Sequence, residues 1–115
     1  MESATLPIPQ ATLLAEGAQV YEVACALCHY AGEGSALAPD LKGSPVLAAP
    51  PQETIAIILR GRQNASVVNG KPFNGIMPKQ DTLTDREIAA VVAYVRETFA
   101  GKSDAAQPAD VAAMR

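Results

Sequence analysis

All the cysteine and all the histidine of this 115-residue chain fall within five positions, Cys25-Ala26-Leu27-Cys28-His29. That concentration fixes the chemistry around which the rest of the fold must be arranged. Two thiols three residues apart on a helical turn can reach the two vinyl groups of one porphyrin and form thioethers, while the adjacent imidazole is carried under the iron. A haem held in this way is not lost by simple dissociation. A thioredoxin-like redox pair would normally follow a strand in a βαβ unit, and the sequence shows none. A structural zinc site needs four ligands, and two Cys with one His fall short. A plain disulfide between Cys25 and Cys28 is the remaining rival.

Composition is compatible with a prosthetic group at the centre. Nearly half the residues are apolar, 49%, yet the chain has no Trp, two Phe and three Tyr. The aromatic bulk that usually fills a core is scarce. A chain of this length fits one small domain, whose stability from apolar burial alone is modest. A flat apolar cofactor wrapped by helices answers both shortages.

The pattern along the chain is helical with long connections. Met1 to about Thr12 contains Pro7 and Pro9 and reads as an extended arm. A first helix is predicted from about Leu13 to Cys25, with Leu14, Gly17, Ala18, Tyr21 and Ala24 at helical spacing. Residues 29–50 are rich in Gly and Pro and read as loop, long enough to be folded around something. A second helix opens at Pro51 and stops near Gly61. Residues 63–80 read as loop again, with Asn69-Gly70, Pro72, Asn74-Gly75 and Pro78 as turn signals and no convincing strand pair. The third helix is the clearest. Thr84-Asp85-Arg86-Glu87 is a capping box, Leu83 and Ile88 have hydrophobic-staple spacing, and Ile88, Val91, Val92, Val95 and Phe99 form one stripe before Gly101. The Ala-rich stretch 102–115, with Pro108, is expected to be a poorly ordered tail.

With a single His, two imidazole ligands from this chain are impossible, so a sixth iron ligand is Met, Lys, the terminal amine, water or nothing. Met1 and Met114 lie in the end segments. Met77 sits in Asn74-Gly75-Ile76-Met77-Pro78, just before the capped helix, and is the favoured candidate, with a core gap-filler as its ordinary alternative role. Arg60 and Arg62 are candidate partners of haem propionates, or else exposed helix-end charges. Asn74 either donates to a Met sulfur or caps a turn.

Taken together, helix, C-x-x-C-H, Gly- and Pro-rich loop, middle helix, Met-Pro and C-terminal helix resemble the class I c-type cytochromes, especially the small bacterial single-haem type, over roughly Ala15 to Phe99. The resemblance implies an all-α cytochrome c fold over residues 13–101, in which three main helices and long loops wrap one haem c bound through Cys25 and Cys28. Gly17 and Tyr21 match the Gly and aromatic of the family's first helix, and Val91 and Tyr94 the apolar and aromatic pair of its last, the four forming a helix crossing. Pro39, in Ala38-Pro39-Asp40-Leu41, resembles the residue whose carbonyl accepts the proximal imidazole N–H. The implied site is therefore Cys25, Cys28, His29, Met77, Pro39 and Arg60, with His29 and Met77 on the metal.

Iron with both axial positions filled has no open place for substrate, so the expected work is outer-sphere transfer of single electrons by a carrier rather than an enzyme. Thioether ligation and burial both favour ferrous iron and a positive potential. The alternative is a five-coordinate haem enzyme or sensor of peroxide or a small gas, for which no distal acid–base group is visible. The net charge of −3, without a basic run, gives no reason to expect nucleic acid. Charge is unevenly placed: residues 1–39 carry −4, residues 40–80 carry +3 and residues 81–115 carry −2. The basic middle third, with Lys42, Arg60, Arg62, Lys71 and Lys79, suggests a basic ring around the haem edge that meets a more acidic partner. The resemblance implies that this partner is a periplasmic dehydrogenase or a terminal reductase or oxidase. No stretch approaches the roughly 18 to 20 apolar residues of a transmembrane helix. Met1-Glu2-Ser3-Ala4-Thr5 has no basic leader and no apolar segment, so the periplasmic location implied by thioether attachment requires a processed leader or a longer parent chain.

Overall fold

Helix α5, Asp85–Ala100, organises the molecule. It begins where its capping box places it: Thr84 Oγ1 accepts the Glu87 N–H at 3.1 Å, and the Glu87 carboxylate accepts the Thr84 N–H at 2.8 Å. Gly101 ends it in the left-handed conformation, φ 69°, where a residue without Cβ is unstrained. Its stripe of Ile88, Val91, Val92 and Val95 is buried. A computed structural model describes residues 7–29, 32, 41–61, 66–68, 71–73, 77–104 and 106–115, with backbone alone for Leu27, Cys28 and the two strands.

Helix α1, Gln10–Ala24, packs chiefly against α5. It starts three residues ahead of the sequence expectation, because the N–H groups of Thr12 and Leu13 both reach the Pro9 carbonyl at 3.1 Å. A proline just before the first turn lacks only a donor that the helix does not use. The two helices meet at Gly17, where a Cβ would lie 2.1 Å from the Ala90 carbonyl oxygen and 2.7 Å from Tyr94 Cβ. Only glycine permits that approach. Beside it the Tyr21 and Tyr94 rings meet tilted at 46° with centroids 5.4 Å apart, and Phe99 closes an aromatic triad 5.7 Å from Tyr21. The crossing of Gly17, Tyr21, Val91 and Tyr94 is thus formed.

After the short turn α2, Ala26–His29, come α3, Pro45–Ala48, and α4, Pro51–Arg60. Helix α3 lies inside the stretch expected to be loop, and Leu47 from it is buried against the core. Another departure is a small antiparallel hairpin: β1, Ser66–Val68, pairs with β2, Lys71–Phe73, in the register Ser66 with Phe73 and Val68 with Lys71. A strand pair was not expected here. Apart from it, the described residues are helix and connection, as in the all-α cytochrome c fold.

The stretch 102–115, expected to be poorly ordered, is a packed segment instead. It contains α6, Pro108–Ala112, with proline in its first turn and the Gln107 N–H bonded to the Asp110 carboxylate at 2.8 Å. Val111 is fully buried and Ala106 nearly so, in the same cluster as Ile55, Leu59 and Ile88. Gln107 also ties the arm down: its Oε1 accepts the Ile8 N–H at 2.8 Å, and its Nε2 donates to the Ile8 carbonyl at 3.2 Å. An Ala-rich segment orders because three or four anchors suffice when the surface they meet is already apolar.

Among the described residues Arg96 is the largest fully buried side chain, 2% exposed. Its guanidinium donates to the carbonyls of Leu47 at 3.2 Å, Ala49 at 3.0 Å and Asp104 at 2.7 Å, and to the Asp104 carboxylate at 3.0 Å. One residue thereby fixes the end of α3 and the turn after α5. Arg96→Ala removes all four bonds and leaves a void, and is expected to cost about 3 kcal/mol in urea unfolding at pH 7. The Arg96 guanidinium holds the Asp104 carboxyl below the usual carboxylate range, and Arg86 does the same for Glu16. Lowered carboxyl values stabilise the fold above about pH 5, and that contribution is lost as pH falls through them.

Candidate functional site

The candidate haem site starts from the C-terminal end of α1. Cys25 follows Ala24 directly, its N–H bonded to the Tyr21 carbonyl at 2.9 Å, so the chain is still winding helically when it reaches the first thiol. The His29 N–H donates to the Cys25 carbonyl at 3.0 Å, which places Cys25, Cys28 and His29 on one continuous turn. The geometry behind the C-x-x-C-H reading is therefore present in the backbone. Cys25 is half-buried and packs against the core cluster with Ala26 and Leu41. His29 is 8% exposed, an unusual depth for an imidazole at the end of a four-residue helix.

Beyond the histidine, a glycine turns the backbone. The Gly32 N–H returns to the His29 carbonyl at 2.9 Å, and the Gly32 carbonyl accepts from both Leu41 and Lys42. Gly32 has φ +99°, and a Cβ there would strike the Phe99 ring at 2.5 Å. Gly32 thus lies against the aromatic triad. Sequence reasoning counted Gly32 only as a loop residue.

Met77 is half-buried, and its backbone lies against the end of α4. Gly61, at φ +71°, comes so close that a Cβ would lie 2.4 Å from the Met77 carbonyl oxygen. The Gln80 N–H donates to the Ile58 carbonyl at 2.7 Å, fixing the other side of the Met-Pro step. Arg60, the propionate candidate, is exposed and donates from Nη2 to the Met114 carbonyl at 2.9 Å. The contact observed for it is therefore with the C-terminal segment. Pro39, Arg62 and Asn74 lie outside the described residues, as do the side chains of Cys28 and Lys71. Of the basic middle third, Lys79 is exposed but sits 3.6 Å from Asp81, which answers part of its charge within the chain.

The donor set fits a haem. It consists of one buried imidazole, thiols at positions i and i+3 of one helical turn, and a half-buried thioether elsewhere in the chain. Among the described residues no group of three or more His, Cys, Asp or Glu is gathered that could hold a metal ion by itself.

An α1–α5 crossing closed on a glycine, with a C-x-x-C-H turn issuing directly from α1, defines a small c-type haem protein. The chain belongs to the cytochrome c family, whose model matches residues 14–99, and it carries one covalently attached haem c. It is a haem protein of the electron-carrying kind. Among solved structures it is similar to the c-type cytochrome XoxG from Methylobacterium extorquens AM1, with 25% identity and a TM-score of 0.60. That similarity covers 84% of this chain and 56% of the XoxG chain, so the chain spans little more than half the length of its structural neighbour. Comparison with curated proteins finds no match. No described helix is long and apolar enough to cross a membrane.

Proposed function

We propose that this chain performs outer-sphere one-electron transfer with a periplasmic redox enzyme, a dehydrogenase or a terminal reductase or oxidase, its iron ligated by His29 and Met77. The observation that carries the reading is the burial of His29, the chain's sole imidazole, on the same turn as both thiols. Cys25 and Cys28 would hold the haem covalently, and His29 and Met77 would supply an imidazole nitrogen and a thioether to its iron. The bound haem supplies the interconversion of ferric and ferrous iron, and the protein supplies orientation, exclusion of water and tuning. Val23, two residues before Cys25, is an apolar side chain left 87% exposed. With Val20, Ala24 and Leu83 it lines a shallow groove next to the attachment turn, bordered by Glu16 and Glu87. An open apolar surface beside the attachment turn suits a partner that docks briefly and leaves, as electron-transfer contacts are small and transient.

Met77→Ala tests the ligand assignment. The ferric protein is expected to lose the weak far-red band that a thioether ligand gives and to become high-spin or to recruit a lysine. Its potential should fall markedly, because ferrous iron loses its preferred soft ligand. The same substitutions at Met1 and Met114 should leave spectrum and potential unchanged. An unaltered spectrum in Met77→Ala would remove Met77 from the iron and reopen the five-coordinate reading.

A further inference from the structure

We propose that the C-terminal segment acts as a strap that holds Met77 on the iron, with Arg115 as its positioning residue; this rests on the reading of Met77 as axial ligand. The observation is a closed ring of contacts. At one end of the segment 77–83, Gly61 lies against the Met77 carbonyl and Ile58 accepts from Gln80, so α4 fixes the start. At the other end Arg115 donates from Nη1 to the Asp81 carbonyl at 2.9 Å and from Nη2 to the Leu83 carbonyl, while its Nε pairs with Asp85 at the first turn of α5. The ring closes through Arg60, at the end of α4, which bonds the Met114 carbonyl next to Arg115. Beneath it Val111 belongs to the buried cluster that includes Leu59, and Met114 and Leu83 both pack against that cluster.

The consequence is kinetic and thermodynamic control of the ligand. A thioether would be kept on the iron more firmly by a segment that moves little, and a chain fixed at both ends by carbonyl hydrogen bonds has fewer open conformations to visit. Arg115 is suited to this task because its planar fork can satisfy two carbonyls and a carboxylate at once, which a lysine ammonium cannot do in the same geometry. Its side chain is 33% exposed, so the effect of each bond is moderated by water.

Imidazole added to the ferric holoprotein at pH 7 displaces a methionine ligand only through the open form, and its apparent affinity scales with the population of that form. Arg115→Ala is expected to raise imidazole affinity about fivefold and to lower the potential, with the far-red band still present before imidazole is added. Arg115→Lys should give most of the same rise, since it keeps the charge and loses the fork. Arg86→Ala is the control. It breaks the 2.7 Å ion pair that joins α5 to Glu16 of α1, outside the ring, and should leave imidazole affinity at the wild-type value. Unchanged affinity in Arg115→Ala, or an equal rise in Arg86→Ala, overturns the strap while leaving Met77 in place. A wild-type ferric spectrum without the thioether band overturns the Met77 reading itself, and the strap with it.

Discussion

His29→Ala is expected to abolish the low-spin haem spectrum and to leave a protein that unfolds far more easily than the wild type. Two losses coincide in that one change. The iron loses its only imidazole, since no second histidine exists to replace it. A side chain that is 8% exposed is also deleted from the floor of the fold, next to the Gly32 turn. Truncating a buried side chain of this size costs about 2–5 kcal/mol by itself. The failure of a metal–ligand bond adds to it, because affinity for the bound group is also folding free energy. Cys25→Ser and Cys28→Ser test the covalent attachment instead: each leaves at most one thioether, yet keeps the imidazole. The double serine variant should release its haem into acid acetone, and retention there would show that these thiols are not the attachment points. Circular dichroism on heating, read beside the visible spectrum, gives both quantities for every variant.

What could be read from the sequence, and what could not, divides by the kind of interaction involved. The helical turn that carries Cys25, Cys28 and His29 was legible because the three are close in sequence, so their spacing sets their backbone geometry. Helix α5 was legible because its cap is local: Thr84 and Glu87 satisfy each other's backbone donors without help from elsewhere. The hairpin was hidden by Pro72, which removes a donor from β2 and reads as a breaker, although Asn69-Gly70 between two apolar runs is a hairpin signal. The tail was hidden for another reason. Nothing in 102–115 is strongly periodic, and its order comes from surfaces it meets far away in sequence, Asp85 for Arg115 and Ile8 for Gln107. Arg96 shows the limit of periodicity itself. It lies four residues after Val92 on the buried face, where a charge would normally be excluded, and only the converging carbonyls of Leu47, Ala49 and Asp104 make the place habitable. Met77 is intermediate: its neighbour Gly61 emerges from the structure, while the role on iron proposed for it rests on the family resemblance and on chemistry.

Gly17→Ala is the second large effect, and the smallest of all side-chain additions produces it. Alanine is the better helix former by about 1 kcal/mol, so on propensity alone the change should stabilise α1. The added Cβ, however, would lie 2.1 Å from the Ala90 carbonyl oxygen and 2.7 Å from the Ala90 carbonyl carbon and Tyr94 Cβ. Two of those three atoms are backbone of α5, which cannot rotate aside as a side-chain tip would. Helices α1 and α5 must therefore move apart by roughly an ångström to restore ordinary contact, and packed interiors resist such displacement. The separation opens the aromatic triad, whose rings stand 5.4 to 6.1 Å apart, and loosens the C-terminal end of α1 from which the haem-attachment turn springs. Ordinary overpacking costs about 1–3 kcal/mol, and a clash with backbone exceeds it, so a net loss of about 4 kcal/mol is expected. For a domain of this size that corresponds to a fall in Tm of about 15 °C. Because Gly17 touches neither thiol nor imidazole, the variant that remains folded at low temperature should keep a low-spin spectrum. The loss is then one of scaffold and not of ligand. A Gly17→Ala protein within a few tenths of a kcal/mol of wild type would show that the crossing is not held at this distance in solution.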